Sequence, residues 1–248
     1  MMHGNKVQNG VKALLLIGLG LFFYSRFTNG TLYFYINQQF TIYTLLAVFG
    51  LLLTGLSYRY EQSAAHSHAH DHDHDHRLSW GGAFLVLLPI VLGLLVPPQP
   101  LGAAALSNRE INTGANILKT PGLARTTAQK EATEKNILDW WESFHAVTNP
   151  NQMLAGQTVA VVGFVYHDKA LGNEHFMVSR FVVSCCVADA AAMGLAVRWP
   201  DAPQLKDDQW VAVKGTFVAG QLPSWQLPVL VAQSVTPVAV PNQPYLYP

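Results

Sequence analysis

The sequence predicts a membrane α-helical N-terminal part of three spans joined to an all-β C-terminal domain, a small OB-like barrel of five strands. Three observations predict it. Long uncharged apolar runs are confined to residues 1–97. Short segments rich in Val, Phe and Tyr, separated by turn residues, fill the chain beyond Gly156. And although half of the 248 residues are hydrophobic, only 12% are charged, against about a quarter in ordinary soluble domains.

The first run, Ala13 to Tyr24, is short and reaches spanning length only with its flanks, Val11–Lys12 and Ser25–Phe27; Lys12 and Arg26 then lie at the interfaces. No small-x-small cleavage signal follows it, so it is read as an uncleaved helix rather than a signal peptide. The second run, Phe40 to Tyr58, and the third, Trp80 to Val96, carry no charge and approach the ~20 apolar residues that cross a bilayer. Pro89 should kink the third and Pro97–Pro98 should stop it. Lys6, Lys12, Arg59 and Arg77 flank one side and Arg26 the other. The positive-inside rule therefore places the N-terminus and the loop 61–77 in the cytoplasm of a multi-pass membrane protein, with everything after Pro97 outside.

Residues 98–130 read as a linker rich in Pro, Gly, Ala, Thr and Asn. The outer domain, 131–248, opens with a predicted helix from Thr133 to Val147, with Thr133 as N-cap and Asn149–Pro150 as its stop. Ile137, Trp141 and Phe144 share its apolar stripe, and the Trp140–Trp141 pair is expected to pack on the domain or lie at the membrane surface. The five predicted strands are 157–167, 175–184, 195–199, 209–217 and 227–235. Gly163 and Gly215 interrupt two of them, as glycines do at bulges and barrel corners.

Two motifs carry chemistry. In the cytoplasmic loop His66, His68, His70, His72, His74 and His76 alternate, with Asp71, Asp73 and Asp75 interleaved. Imidazole with carboxylate is a ligand set for Zn²⁺ or another divalent transition metal; a solvated loop that binds metal incidentally is the bland alternative. The second motif is Cys185–Cys186 with Asp189. Adjacent cysteines make a poor disulfide, because a bridge wants its Cα atoms about 4.4–6.8 Å apart. On a continuing strand the two thiols would face opposite ways, one buried as a small hydrophobe, with Asp189 capping a turn. If the strand breaks at the pair, both can face a common soft-metal site, with His167 or His175 from a neighbouring strand as a further ligand. Arg180 could depress a thiol pKa, but a surface pair with Asp168 or Asp189 is expected.

Charge excludes one class of partner. Five basic and four acidic residues fall before residue 98, leaving ten basic and eleven acidic of the fifteen each after it; neither part has the basic excess of a nucleic-acid binder. No Ser-His-Asp, paired-Glu, P-loop or dinucleotide signature is present, so no enzyme is expected. The spans hold no interior ionisable residue of the kind that marks a transport pathway, which implies a transporting partner beside the lipid bilayer.

Several phrases together resemble the YcgQ-type permease-subunit family of uncharacterised bacterial membrane proteins. They are the proline-bounded third run with Leu101, Asn108 and Arg109, the Gly163–Asp168 strand, the Arg180–Ala190 segment with its Cys-Cys-x-x-Asp core, Asp207–Thr216, and the terminal Pro241–Pro248. The resemblance implies an extracytoplasmic β-domain found alongside a multi-spanning permease related to organoarsenical exporters. The function expected is thus an accessory subunit of a membrane permease in metal or metalloid transport or homeostasis. The alternatives are a non-enzymatic docking protein or a membrane-tethered thiol oxidoreductase, the last disfavoured because redox enzymes commonly use Cys-x-x-Cys.

Overall fold

The computed structural model describes residues 2–60, 80–107, 130–220, 222 and 225–248. The chain divides into two compact units, Met1–Gln99 and Pro100–Pro248. The His/Asp tract between His66 and His76 lies outside the described residues.

In the first unit, α1 runs Met2–Thr28, α2 Thr41–Tyr60 and α3 Trp80–Leu95. The short first apolar run thus sits inside a much longer helix: backbone hydrogen bonding continues through the polar flanks of the apolar stretch. Gly55 of α2 comes against Ile17 of α1, and Gly20 of α1 against Leu52 of α2, so glycines let the two helices approach closely. Two charged residues of α1, Lys12 and Arg26, have local partners. Lys12 lies 5.7 Å above the ring of Tyr58, and Arg26 donates to the carbonyl of Gly93 and stacks on Phe22.

Two stretches, Val7–Thr28 and Gln38–Tyr58, are long and apolar enough to cross a membrane. The apolar helix Gly81–Leu95 is shorter. Leu14, Ile42, Leu46, Phe49, Phe84, Leu85 and Leu94 all turn outward and are more than half exposed. That is an apolar outer face of the kind a lipid environment would cover.

The second unit is built on a closed barrel of five strands in the order β1-β2-β3-β5-β4. The strands are β1 Thr158–Tyr166, β2 His175–Val182, β3 Ala191–Arg198, β4 Trp210–Val218 and β5 Val229–Pro237. Neighbours are antiparallel except β3 and β5, which run parallel over Val197↔Leu230 and Arg198↔Val231. Four strands match their expected positions closely. The third starts at Ala191, not at 195. Ala-Ala-Met-Gly has little strand propensity, but continuous pairing with β2 from His175↔Arg198 to Val182↔Ala191 holds it extended. The ladder shifts register between Lys214 and Gly215, and a Cβ on Gly215 would collide with the backbone carbonyl of Val231, so this glycine marks a bulge.

The helix α5 spans Ile137–Ala146. Its N-cap is Asn136, not Thr133. The Asn136 side chain accepts from the Asp139 amide at 3.0 Å and the Asp139 carboxylate accepts from the Asn136 amide at 2.8 Å. This reciprocal capping box satisfies two otherwise orphaned donors and outcompetes a start three residues earlier. Lys130 adds an ion pair to Asp139 at 2.8 Å. Asn149–Pro150 does not end α5, whose last residue is Ala146; Pro150 instead opens a short separate helix, Pro150–Met153. Trp140 and Trp141 are both fully buried: Trp140 meets Phe217 edge-on at 4.9 Å, and Trp141 donates from Nε1 to the carbonyl of Gly194 at 2.9 Å.

A second apolar cluster joins Phe164, Phe181, Val183 and Trp210 to Leu106 and Tyr245. Leu106 belongs to the short helix α4, Ala103–Ser107, inside the stretch expected as linker. Ala103 donates to the Asp208 carboxylate and Leu101 to the Tyr245 hydroxyl, the latter at 2.9 Å. Residues 101–107 are therefore fastened to the barrel by backbone hydrogen bonds as well as by apolar packing.

Candidate functional site: an exposed vicinal dithiol

Strand β2 ends at Val182, and the chain turns outward through Ser184, Cys185 and Cys186 before the short helical turn Val187–Asp189. The strand breaks at the pair, so neither thiol is core: Cys185 is exposed and Cys186 half-buried. Their sulphur atoms lie 3.6 Å apart. Asp189 organises the loop. Its carboxylate accepts from the Ser184 amide at 3.0 Å and the Cys185 amide at 2.7 Å, and from Cys186 as well. The Asp189 amide donates back to the Cys186 carbonyl at 3.0 Å. One side chain thus gathers three successive backbone amides, Ser184 to Cys186.

The electrostatics follow from that arrangement. Hydrogen bonding to the Asp189 carboxylate, then to Cys186, raises the Cys185 thiol from 9.0 to about 11; a neutral S–H can donate where a thiolate cannot. Burial pushes the Asp189 carboxyl up, but the Cys185 thiol and the loop amides together outweigh it and hold it below its ordinary value. Cys185 is therefore kept as a thiol at neutral pH. That is the opposite of the depressed pKa that marks a catalytic cysteine.

The other expected neighbours lie elsewhere. His167 and His175 are near the start of β2, while the thiols follow its end, so a strand of eight residues separates them, or about 25 Å at 3.3 Å per residue. They do not complete a cysteine site. Among the described residues no group of three or more His, Cys, Asp or Glu side chains is arranged to hold a metal ion. Arg180 pairs with neither Asp168 nor Asp189. It points into the second cluster, stacks 5.6 Å over Trp210 and donates to the carbonyls of Gln243, Pro244 and Tyr245; burial lowers its pKa to about 10. Asp168 caps its own turn by accepting from the Ala170 amide.

The two histidines instead line a cavity of about 510 Å³ with Asp168, Lys169, Asn173 and Asp207. His167 staples its walls together. Nδ1 lies 2.8 Å from the Asp207 carboxylate and Nε2 3.0 Å from the Ala202 carbonyl, which links the β1–β2 loop to the β3–β4 connection. Burial, then the nearby Arg198, lowers the His175 pKa against an opposing pull from Glu174. Sequence reading missed this cavity, because Asp207 and His167 are far apart in the chain and only barrel closure brings them together.

Family models match both parts of the chain. The DUF1980 C-terminal domain covers residues 114–248 and the DUF1980 N-terminal domain residues 11–112. The chain belongs to the DUF1980 family. It is also similar to the UPF0703 protein YcgQ of Bacillus subtilis (strain 168), at 27% identity over 95% of this chain and 98% of that protein. The resemblance to YcgQ-type proteins read from the Cys-Cys-x-x-Asp segment and the terminal Pro241–Pro248 is thus shown along nearly the whole chain.

Proposed function

We propose that the chain is a non-enzymatic accessory subunit of a multi-spanning permease, serving metal or metalloid transport, with its barrel presented outside the cell membrane. The observation that carries this reading is the pair Cys185–Cys186, one thiol exposed and the other half-buried, with sulphurs 3.6 Å apart. Two sulphurs bound at about 2.3 Å to one tetrahedral ion sit roughly 3.8 Å from each other, so the pair has the bite of a chelate. The Asp189 carboxylate is already engaged by the loop amides, and it orients the thiols rather than serving as a third donor. A closed structural zinc site takes four protein ligands, which this donor set does not reach. It suits a soft ion accepting few protein ligands, passed on rather than stored.

In this reading all three apolar helices span the bilayer, the loop 61–77 faces the cytoplasm, and its His/Asp tract gathers Zn²⁺ or another divalent metal there. The strand order supports an OB-type barrel, an architecture that often serves as a binding module. The adjacency of the two cysteines argues against a thiol oxidoreductase, since such enzymes commonly use Cys-x-x-Cys. The test is direct titration of the purified full-length protein with arsenite and with Zn²⁺, alongside co-purification from native membranes. Stoichiometric binding lost in Cys185→Ser and in Cys186→Ser, with a permease recovered in the same complex, supports the reading. A protein that binds neither ion would leave the barrel as a docking module.

A further inference from the structure

The C-terminal residues Pro241–Pro248 form a bent strap that meets the end of β2 at Leu246. Leu246 donates to the carbonyl of Phe181 at 2.9 Å and accepts from the amide of Val183 at 3.0 Å, forming a parallel bridge with Val182. Strand β1 pairs with β2 only from Met177 to Ser179. Beyond that point the strap takes over the edge of β2 that β1 has left. Arg180 fastens the strap through the carbonyls of Gln243, Pro244 and Tyr245, and Leu246 is buried in the main core. The last strap bond, at Val183, is one residue from Ser184, whose amide holds the Asp189 carboxylate. Bonds therefore run without a gap from Arg180 through the strap to the loop that carries the thiols.

We propose that Arg180 and the C-terminal strap set the spacing of the Cys185–Cys186 pair, making Arg180 a positioning residue for a dithiol that captures trivalent, thiol-seeking ligands. The inference rests on the reading of the pair as the ligand-binding group. Its physical basis is that chelation depends on two atoms being held at the right separation, and a misplacement of about 1 Å can cost roughly two orders of magnitude. A loop anchored on one side by β3 and on the other by the strap loses one anchor when Arg180 is replaced, and the two sulphurs then sample wider separations.

The probe is phenylarsine oxide, which needs both thiols. Two As–S bonds form, and the two thiol protons leave with the arsenic-bound oxygen as one water; no oxidant or reductant is required. Full-length protein in detergent is compared with Arg180→Gln, Arg180→Lys and Leu246→Ala. A monofunctional maleimide run in parallel reports single-thiol access. Arg180→Gln and Leu246→Ala should each weaken phenylarsine oxide capture by about tenfold or more while maleimide labelling stays at or above the parent rate. Arg180→Lys, which keeps a donor but not the fork, should fall between. If Arg180→Gln fails to fold, Leu246→Ala decides alone. Unchanged capture in a folded Leu246→Ala or Arg180→Gln overturns the positioning role. Because the synthetic arsenical reads thiol spacing whatever the physiological ligand is, a parent protein that chelates it but binds neither arsenite nor Zn²⁺ would sink the proposed function and leave this inference standing.

Discussion

Replacing Asp189 by Asn should make Cys185 more reactive, not less. The Asp189 carboxylate is the largest cause of the rise in the Cys185 pKa from 9.0 to about 11. Were the whole rise lost, the thiolate fraction near pH 7.5 would increase about 100-fold. A thiolate of lower pKa is also a weaker nucleophile, with a Brønsted slope of about 0.4–0.5, which takes back roughly eightfold. The net acceleration is therefore about tenfold at most, and less if the hydrogen bond to residue 186 persists. The assay is the pH–rate profile for maleimide labelling of Asp189→Asn in a Cys186→Ser background, against Cys186→Ser alone, so that one thiol reports. The inflection should move down from about 11. The same coupling carries a stability signature. The thiol's folded pKa lies above its unfolded value of 9.0, so its bond to Asp189 stabilises the loop fully below pH 9 and is lost as pH rises through about 11. The Asp189 carboxyl is shifted the other way, so its contribution is present above its ordinary 3.8 and is lost as pH falls through the lowered value. An unchanged profile, or slower labelling in the Asn variant, would show that the carboxylate does not hold the thiol.

A soluble fragment beginning at Pro100 should be more stable than one beginning at Lys130. The shorter one strips Leu106, with Leu101 and Ala105 beside it, from the second cluster, a loss of about 2–3 kcal/mol for the leucine alone; equal urea midpoints would refute this. Trp141→Phe should cost about 1–3 kcal/mol, because the Gly194 carbonyl loses its buried donor, and thermal unfolding would read it. A cysteine placed near Ala69 should resist labelling from outside intact cells and a reporter near Gln221 should accept it; the reverse pattern would overturn the proposed orientation. Replacing His66–His76 by Ser should abolish loop-dependent Zn²⁺ or Ni²⁺ binding while thermal unfolding of the barrel stays put, and equal metal tolerance in the parent and substituted strains would rule out a physiological role for the tract.

The barrel was legible in the sequence because its strands announce themselves locally. Runs such as Thr158–Tyr166 and Trp210–Val218 combine β-branched and aromatic residues with alternating burial. Gly215 was legible for the same reason, as a break in such a run. What local pattern could not supply was anything decided by a partner across the fold. The first half of β3 is extended because β2 is beside it, not because Ala191–Gly194 favours a strand. Arg180 reads as a surface cation until the strap arrives from more than sixty residues away. The two thiols are legible from their adjacency, but their access to solvent depends on β2 stopping at Val182, which no local pattern marks. His167 was named for the wrong site because strand polarity, rather than strand identity, decides which end of the barrel a residue reaches.

The hydrogen bond from Leu101 to the Tyr245 hydroxyl brings the first and last residues of the outer unit together. A domain whose ends meet can be opened elsewhere and rejoined there, and a short linker from Pro248 back to Pro100, which keeps Leu246 in place on β2, would make a circular permutant with its new termini at the Pro200–Asp201 turn, near the end of β2 remote from the thiols. The same closure warns against fusing a reporter to Pro248. A bulky tag there would pull on the strap that also braces the dithiol loop, and would disturb thiol chemistry while reporting only on expression. A tag inserted at the Pro200–Asp201 turn avoids that coupling.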